Sequence, residues 1–257
     1  MKSVLLIALL AFSTQLYAQD AIPAGTILPV RLESSLSKKS TPGHVVKARI
    51  MQDVPLANGS RIPAGATVFG QVVNVASNGT NPDTQITLKF DRVVSSNHTI
   101  PVTTDLRAVA SIAEVDEAQV PDMGPDRGTP PSAYTTVQVG GNEVVYRGGG
   151  NVMDASQVVG EPVPDGVLGR VRPNLLRGCR GEIDDKEPSQ QALWVFASDA
   201  CGVYGYANLK IVNSGRDNPL GEIVIAAEQG DVNVAGGSGM LLRVMNNQPA
   251  VQVSGRS

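Results

Sequence analysis

The chain has 257 residues, of which 42% are hydrophobic and only 4% aromatic, and its formal net charge is −3. This mild acidity argues against nucleic acid as a partner, because phosphate recognition requires a concentrated basic face. The length suits one large β domain or two small ones. Few aromatic residues are present, so the core must consist mainly of Val, Ile, Leu and Ala.

Residues 1–18 are predicted to be a signal peptide. Lys2 supplies the positive start, Val4–Phe12 is a short apolar core, and Ala18 is a small residue at the expected cleavage point. The alternative is a membrane anchor, but the apolar run is far shorter than the roughly 20 residues that span a bilayer. We expect a periplasmic or secreted protein with no transmembrane span in the mature chain.

Residues 19–110 are predicted to form a small β-barrel or sandwich. Ile86–Val94 alternates apolar and polar residues with the period of a half-buried strand, and Val45–Val54 alternates in the same way. Turn-forming sequences separate these strands from further candidates. The other candidate strands are Ile27–Leu32, Thr67–Val75 (with a bulge or close backbone approach at Gly70) and Thr99–Leu106.

The tetrapeptide Ile-Pro-Ala-Gly occurs twice, at Ile22–Gly25 and at Ile62–Gly65. Pro23 and Pro63 restrict the backbone, and Gly25 and Gly65, two residues later, accept a positive φ. Neither copy contains a catalytic side chain. Both are predicted to be structural turns that precede a strand.

The rest of the chain is predicted to be a linker followed by a second β domain. Ala108–Gln119 is the best helix candidate, and Pro121–Ser132 is rich in Pro and Gly. We assign 111–190 to a linker and an irregular Gly/Pro-rich region, and 191–257 to a small C-terminal β domain. The predicted fold class is therefore mainly β.

The two cysteines, Cys179 and Cys201, are predicted to form a disulfide, because the chain carries an export signal and their number is even. The alternatives are two buried thiols or part of a metal site. A zinc site is disfavoured because two cysteines without a nearby histidine do not complete a tetrahedral shell.

Candidate catalytic residues are few. His44 and His98, both next to predicted turns, are interpreted as exposed loop residues. Ser238 lies in a sequence that resembles a nucleophile elbow, but Met240 occupies the position that requires glycine. The acidic stretch Glu182–Glu187 matches no calcium-binding loop and is interpreted as a solvated charge run. We therefore assign no catalytic, cofactor-binding or metal-binding residue and expect no cofactor.

The N-terminal third resembles the C-terminal β domain of the TrbI-like conjugation proteins, which are scaffolds of type IV secretion channels. The resemblance depends on Ile22–Ser37, Pro42–Val54 and Arg61–Val72, which repeat the family's order of turns and strands. It implies a similar β fold in the bacterial cell envelope. The family carries an uncleaved membrane helix and a helical hairpin, and neither is visible in this sequence.

Two functional classes remain open. The first is a non-catalytic scaffold or binding module of the cell envelope, which contacts other envelope proteins or its own copies through sheet edges and loops. The second is an exported hydrolase with a carboxylate-based site in the middle or C-terminal region. The scarcity of histidine and of nucleophile motifs favours the first class.

Export predicts a shortened mature chain. Protein isolated from its native host should have the intact mass of a chain that begins at or near Gln19, because signal peptidase removes the preceding segment. A full-length mass in the membrane fraction would contradict this prediction.

Overall fold

A computed structural model describes residues 21–77, 84–96, 98–120, 133–147, 150–163, 166–168 and 192–246. The predicted signal peptide and the predicted linker at Pro121–Ser132 lie outside these residues. The elements, in chain order, are β1 (Ile27–Leu32), β2 (Leu36–Ser37), β3 (Val45–Ile50), β4 (Val54–Pro55), β5 (Arg61–Ile62), β6 (Thr67–Ser77), β7 (Thr84–Ser95), β8 (His98–Pro101), β9 (Thr104–Ala110), α1 (Ile112–Gln119), β10 (Ala133–Val137), β11 (Glu143–Arg147), β12 (Val152–Asp154), β13 (Gln157–Val163), β14 (Gly166–Leu168), β15 (Ala192–Leu193), β16 (Phe196–Ala197), β17 (Gly202–Tyr204), β18 (Leu209–Asn213), β19 (Ile223–Ala227), β20 (Asn233–Val234) and β21 (Gly239–Val244).

The mainly β fold class is confirmed, and the largest sheet forms a nearly closed barrel. Within the described residues this sheet has ten strands in the order β17-β9-β21-β1-β3-β6-β7-β19-β18, and β8 pairs with β7 beside this path. A backbone hydrogen bond from Leu106 N–H to the Ser214 carbonyl, 2.7 Å long, connects β9 to the residue after β18. This contact brings the two ends of the sheet together.

The C-terminal strands belong to this same barrel and do not form a sheet of their own. β21 pairs with β1 on one side and with β9 on the other, and β19 pairs with β7. The boundary predicted at residue 191 therefore does not separate two β-sheets. The prediction of a separate β domain at 191–257 was wrong because strands pair with partners that are remote in sequence. The local apolar pattern does not specify those partners.

The middle region is also more regular than predicted. β10 to β14 form a five-stranded antiparallel sheet between residues 133 and 168, where an irregular Gly/Pro-rich region was expected.

α1 is shorter than its predicted range because residues up to Ala110 continue β9. Ser111 caps the helix by accepting a hydrogen bond from Glu114 N–H. Among the described residues, no helix is long and apolar enough to cross a bilayer.

Two hydrophobic cores lie on opposite faces of the barrel wall. Leu28 and Leu242 belong to the core inside the barrel, whereas their neighbours Ile27 and Leu241 belong to a second core outside it. The outer core also contains residues of α1 and of the β15–β16 hairpin, including Trp194. Because both faces are covered, β9 and β21 are buried along their whole length.

The two copies of Ile-Pro-Ala-Gly form equivalent turns. In the first, Gly25 has a φ of 85° and its N–H donates to the Val244 carbonyl at 2.8 Å, while Val244 N–H donates to the Thr26 carbonyl at 2.9 Å. In the second, Gly65 has a φ of 93° and exchanges the corresponding hydrogen bonds with the end of β3. Each turn therefore holds the end of a neighbouring strand and starts the next one.

The positive φ of Gly65 predicts a graded loss of stability on substitution. A Cβ atom at Gly65 would meet no heavy atom within 4 Å, so the cost comes from the backbone alone. Gly65→Val should lower the free energy of unfolding by more than about 1 kcal/mol, and Gly65→Asn by less, because asparagine tolerates this conformation. Urea unfolding measures both. Equal midpoints for Gly65→Val and the parent protein would contradict the turn geometry.

Candidate functional site at the free edge of β8

Three segments that are remote in sequence line a half-open cavity. Its volume is about 600 Å³. We call it the β8 cavity, and its lining consists of the first Ile-Pro-Ala-Gly turn, strand β8 and the residues at the end of β21. The lining residues are Ala21, Ile22, Ala24, His98, Thr99, Ile100, Pro101, Val244, Met245 and Asn246.

The cavity has an apolar floor and a polar rim. Ile22, Ile100 and Val244 are buried, with exposed fractions of 7%, 4% and 4%. His98 and Thr99, in contrast, are exposed. Among the described residues that line the cavity, none is an acid, a lysine or an arginine. This combination suits an uncharged extended segment whose alternate side chains point toward the floor and toward solvent.

β8 pairs with β7 through a register in which Val93 faces Ile100 and Val94 faces Thr99. No other strand among the described residues pairs with β8. Just beyond the pairing, Val102 N–H donates to the Asp91 carbonyl at 2.9 Å. The opposite side of β8 is therefore a strand edge in the described part of the chain.

The ladder geometry indicates which backbone groups this edge presents. In an antiparallel pair, residues alternate between those that bond their partner strand and those that point away from it. Because Val102 bonds β7, Ile100 also points toward β7, and Thr99 points in the opposite direction. The N–H and C=O of Thr99 and the C=O of Pro101 are thus the groups available to an added strand.

The candidate residues His44, His98 and Ser238 lie in different parts of the structure. His98 lines the β8 cavity, whereas His44 lies beside β3 and is exposed. Ser238 is completely buried, and its Oγ lies 2.7 Å from the Tyr206 hydroxyl. Burial raises the pKa of Tyr206 despite that hydrogen bond. Tyr206 therefore keeps its proton at neutral pH and does not activate Ser238 as a base.

The two turns occupy different places relative to the cavity. The turn that contains Pro23 and Gly25 borders it, because Ile22 and Ala24 line it. The turn that contains Pro63 and Gly65 instead holds the end of β3.

The acidic stretch Glu182–Glu187 lies outside the described residues. Within the described ranges, no group of three or more His, Cys, Asp or Glu side chains is arranged to hold a metal ion.

The sequence alone did not identify the backbone of Thr99 as part of a candidate site. The segment was predicted as one strand, Thr99–Leu106, whereas the structure divides it into β8 and β9. Pro101 was the available signal, since proline lacks an N–H group and is confined to edges or ends of sheets.

Cys201 lies directly before β17, and its thiol is not free. Its backbone N–H donates to the Tyr204 hydroxyl at 3.0 Å, and that hydroxyl donates to the Cys201 carbonyl at 2.8 Å. Cys179 lies outside the described residues. The Cys179–Cys201 disulfide therefore stays a prediction.

Two comparisons of the sequence with known proteins found no match. No model of a known protein family matches the sequence, and no significantly similar protein was found among curated proteins. The resemblance to TrbI-like proteins thus stays a hypothesis based on the short motifs at Ile22–Ser37, Pro42–Val54 and Arg61–Val72.

The predicted disulfide has a consequence for unfolding. β17 pairs with β9 in the barrel, so reduction of the disulfide should affect the unfolding of the whole barrel in one cooperative transition. We expect the free energy of unfolding to fall by about 3 kcal/mol, and the urea midpoint to fall with it. Alkylation with and without reductant, followed by peptide mapping, identifies the bond. Two cysteines alkylated without reductant in freshly isolated native protein would contradict it.

Proposed function

We propose that this protein is an exported component of the bacterial cell envelope that acts as a non-catalytic scaffold or binding module. Its β8 edge would receive an extended segment from another envelope protein or from a second copy of the chain. The observation that carries this proposal is the outward-pointing backbone of Thr99 beside the β8 cavity.

The chemistry of the cavity supports binding of a peptide by strand addition. An added strand gains main-chain hydrogen bonds at the edge, and the adjacent cavity selects its side chains. The buried side chains Ile22, Ile100 and Val244 offer an apolar surface at the floor. The lining residues that the structure describes include no lysine, arginine or carboxylate, and this favours apolar and uncharged side chains in the incoming segment.

The sequence features of export and the TrbI-like resemblance support a partner in the cell envelope. Type IV secretion scaffolds assemble from many envelope subunits, so the resemblance implies assembly for this chain as well. The cavity and the signal features are independent of that resemblance, and the proposal of a binding module therefore does not depend on a role in secretion.

Thr99→Pro tests the proposal, because the one backbone donor that it removes is the N–H that points away from β7. A photo-reactive amino acid at His98 should cross-link a partner in intact cells of the native host. Thr99→Pro should reduce this product at least about fivefold, whereas Thr99→Val, which keeps the N–H and a branched side chain, should preserve it. An adduct with twice the mature mass identifies a second copy.

Two controls make this result specific. Ile100→Pro removes an N–H that bonds β7, so it should lower the thermal midpoint by several degrees, whereas Thr99→Pro should leave the midpoint close to that of the parent protein. The same photo-reactive group at Val158, which is 43% exposed on the five-stranded sheet, should not capture the partner. Unchanged cross-linking in folded Thr99→Pro would overturn the proposal.

A further inference from the structure

A group of charged side chains is buried on the outer side of the barrel, where β9 and β21 pair. We call Asp105, Arg107, Arg216 and Arg243 the arginine cluster. Asp105, Arg107 and Arg243 are exposed by only 1%, 4% and 6%, and Arg216 contributes from the loop after β18 with a side chain that is 41% exposed. Buried charges of this kind require partners.

Arg107 occupies a β-bulge. Leu241 of β21 faces Ala108, but the next residue, Leu242, faces Leu106, so Arg107 is the extra residue in β9. A bulge changes the direction of a side chain relative to a regular strand, and bulges are enriched beside functional sites. The bulge keeps Leu106 and Val109 in the inner core and places a charged residue between them.

Asp105 is fully engaged by the other two arginines. Arg243 Nε donates to Asp105 Oδ1 at 3.0 Å, and Arg243 Nη2 donates to Asp105 Oδ2. Arg216 Nε also donates to Asp105 Oδ2, at 3.4 Å. Both carboxylate oxygens therefore have partners without any contribution from Arg107.

The guanidinium of Arg107, in contrast, is largely unsatisfied. Its Nη2 donates to the Ser198 carbonyl at 3.0 Å, but Nε and Nη1 are buried without a hydrogen-bond partner. Of the five N–H donors of an arginine, the three on Nε and Nη1 thus have no acceptor. Burial, together with Arg243 and Arg216, lowers the pKa of Arg107 to about 10, so the group stays charged at neutral pH.

We propose that the arginine cluster binds a carboxylate, whose oxygens accept the free N–H groups of Arg107. Unsatisfied buried polar groups are rare and commonly mark an ion or water position. Five charged side chains of the described structure interact here, the cluster and Asp199. The carboxylates of Asp105 and Asp199 act on the Arg107 charge, so a monoanion meets less repulsion here than a doubly charged phosphate would. Ser198 and Asp199 are partly exposed, as is the side chain of Arg216, so a ligand would enter beside these three residues.

The carboxylate has two sources, a free small acid or an acidic side chain of another protein. Titration with sodium acetate represents the first source, and titration with the blocked peptide acetyl-Ala-Asp-Ala-amide represents the second. Sodium chloride at matched ionic strength controls for general salt effects. Saturable stabilisation by acetate alone indicates a free acid, and tighter binding of the peptide indicates a protein side chain. Either result supports the site.

Arg107→Met separates a ligand site from a structural arginine. In the parent protein, acetate at ten times its Kd should raise the thermal midpoint by roughly 3–6 °C, and Arg107→Met should abolish this shift. Without acetate, Arg107→Met should be as stable as the parent protein or more stable, because it removes a buried charge whose Nε and Nη1 have no hydrogen-bond partner. Arg61→Gln, at an exposed arginine in β5, should behave like the parent protein.

Arg216→Gln is a second variant, at a side chain that is 41% exposed; its loss leaves Asp105 bonded to Arg243. It should weaken the apparent affinity for acetate by at least about tenfold, since one charge-assisted contribution is lost. The proposal is overturned if neither ligand stabilises the parent protein beyond the chloride control, or if Arg107→Met retains the ligand-dependent shift.

Discussion

The insertion of β21 between β1 and β9 is the constraint on which the rest of the structure depends. β21 is close to the end of the described chain, and β1 is close to its beginning, so this pairing joins remote parts of the sequence. Because β21 is buried on both faces, its residues are apolar except for Arg243, which bonds Asp105 across the ladder. Without β21 the barrel wall would lose a central strand and both cores would lose side chains.

The repeated tetrapeptide serves this same architecture. At each copy, the N–H of the glycine and the C=O of the following residue bond the last residue of an adjacent strand. In the first copy that residue is Val244 of β21, and in the second it is Ile50 of β3. The first turn consequently fixes the end of β21 beside β8, and this is how the β8 cavity acquires two of its three walls.

The sequence predicted well those elements whose two faces differ. β3 alternates exposed and buried residues along its length, and its period was visible for that reason. The ladder between β6 and β7 is irregular at Phe69/Gly70, and a Cβ atom at Gly70 would collide with the Lys89 carbonyl, in agreement with the bulge or close approach predicted there.

Other features had no local signal. β9 and β21 are buried on both faces, so their apolar runs carried no period, and their shared sheet could not be distinguished from two separate domains. The β8 cavity combines three segments that are remote in sequence. Arg107 and Arg243 did interrupt apolar runs, and such interruptions are a usable sign of a buried charge network, but the bulge that directs Arg107 depends on the register with β21.

Strand edges invite uncontrolled association, and the geometry of β8 limits this risk. The strand has only four residues, and Pro101 supplies no N–H group. The free edge therefore offers one donor, at Thr99, and two acceptors, which is too little for strong pairing by main-chain hydrogen bonds alone. A partner must also place side chains on the apolar floor formed by Ile22, Ile100 and Val244. Selection by the cavity is thus what would make pairing at β8 specific.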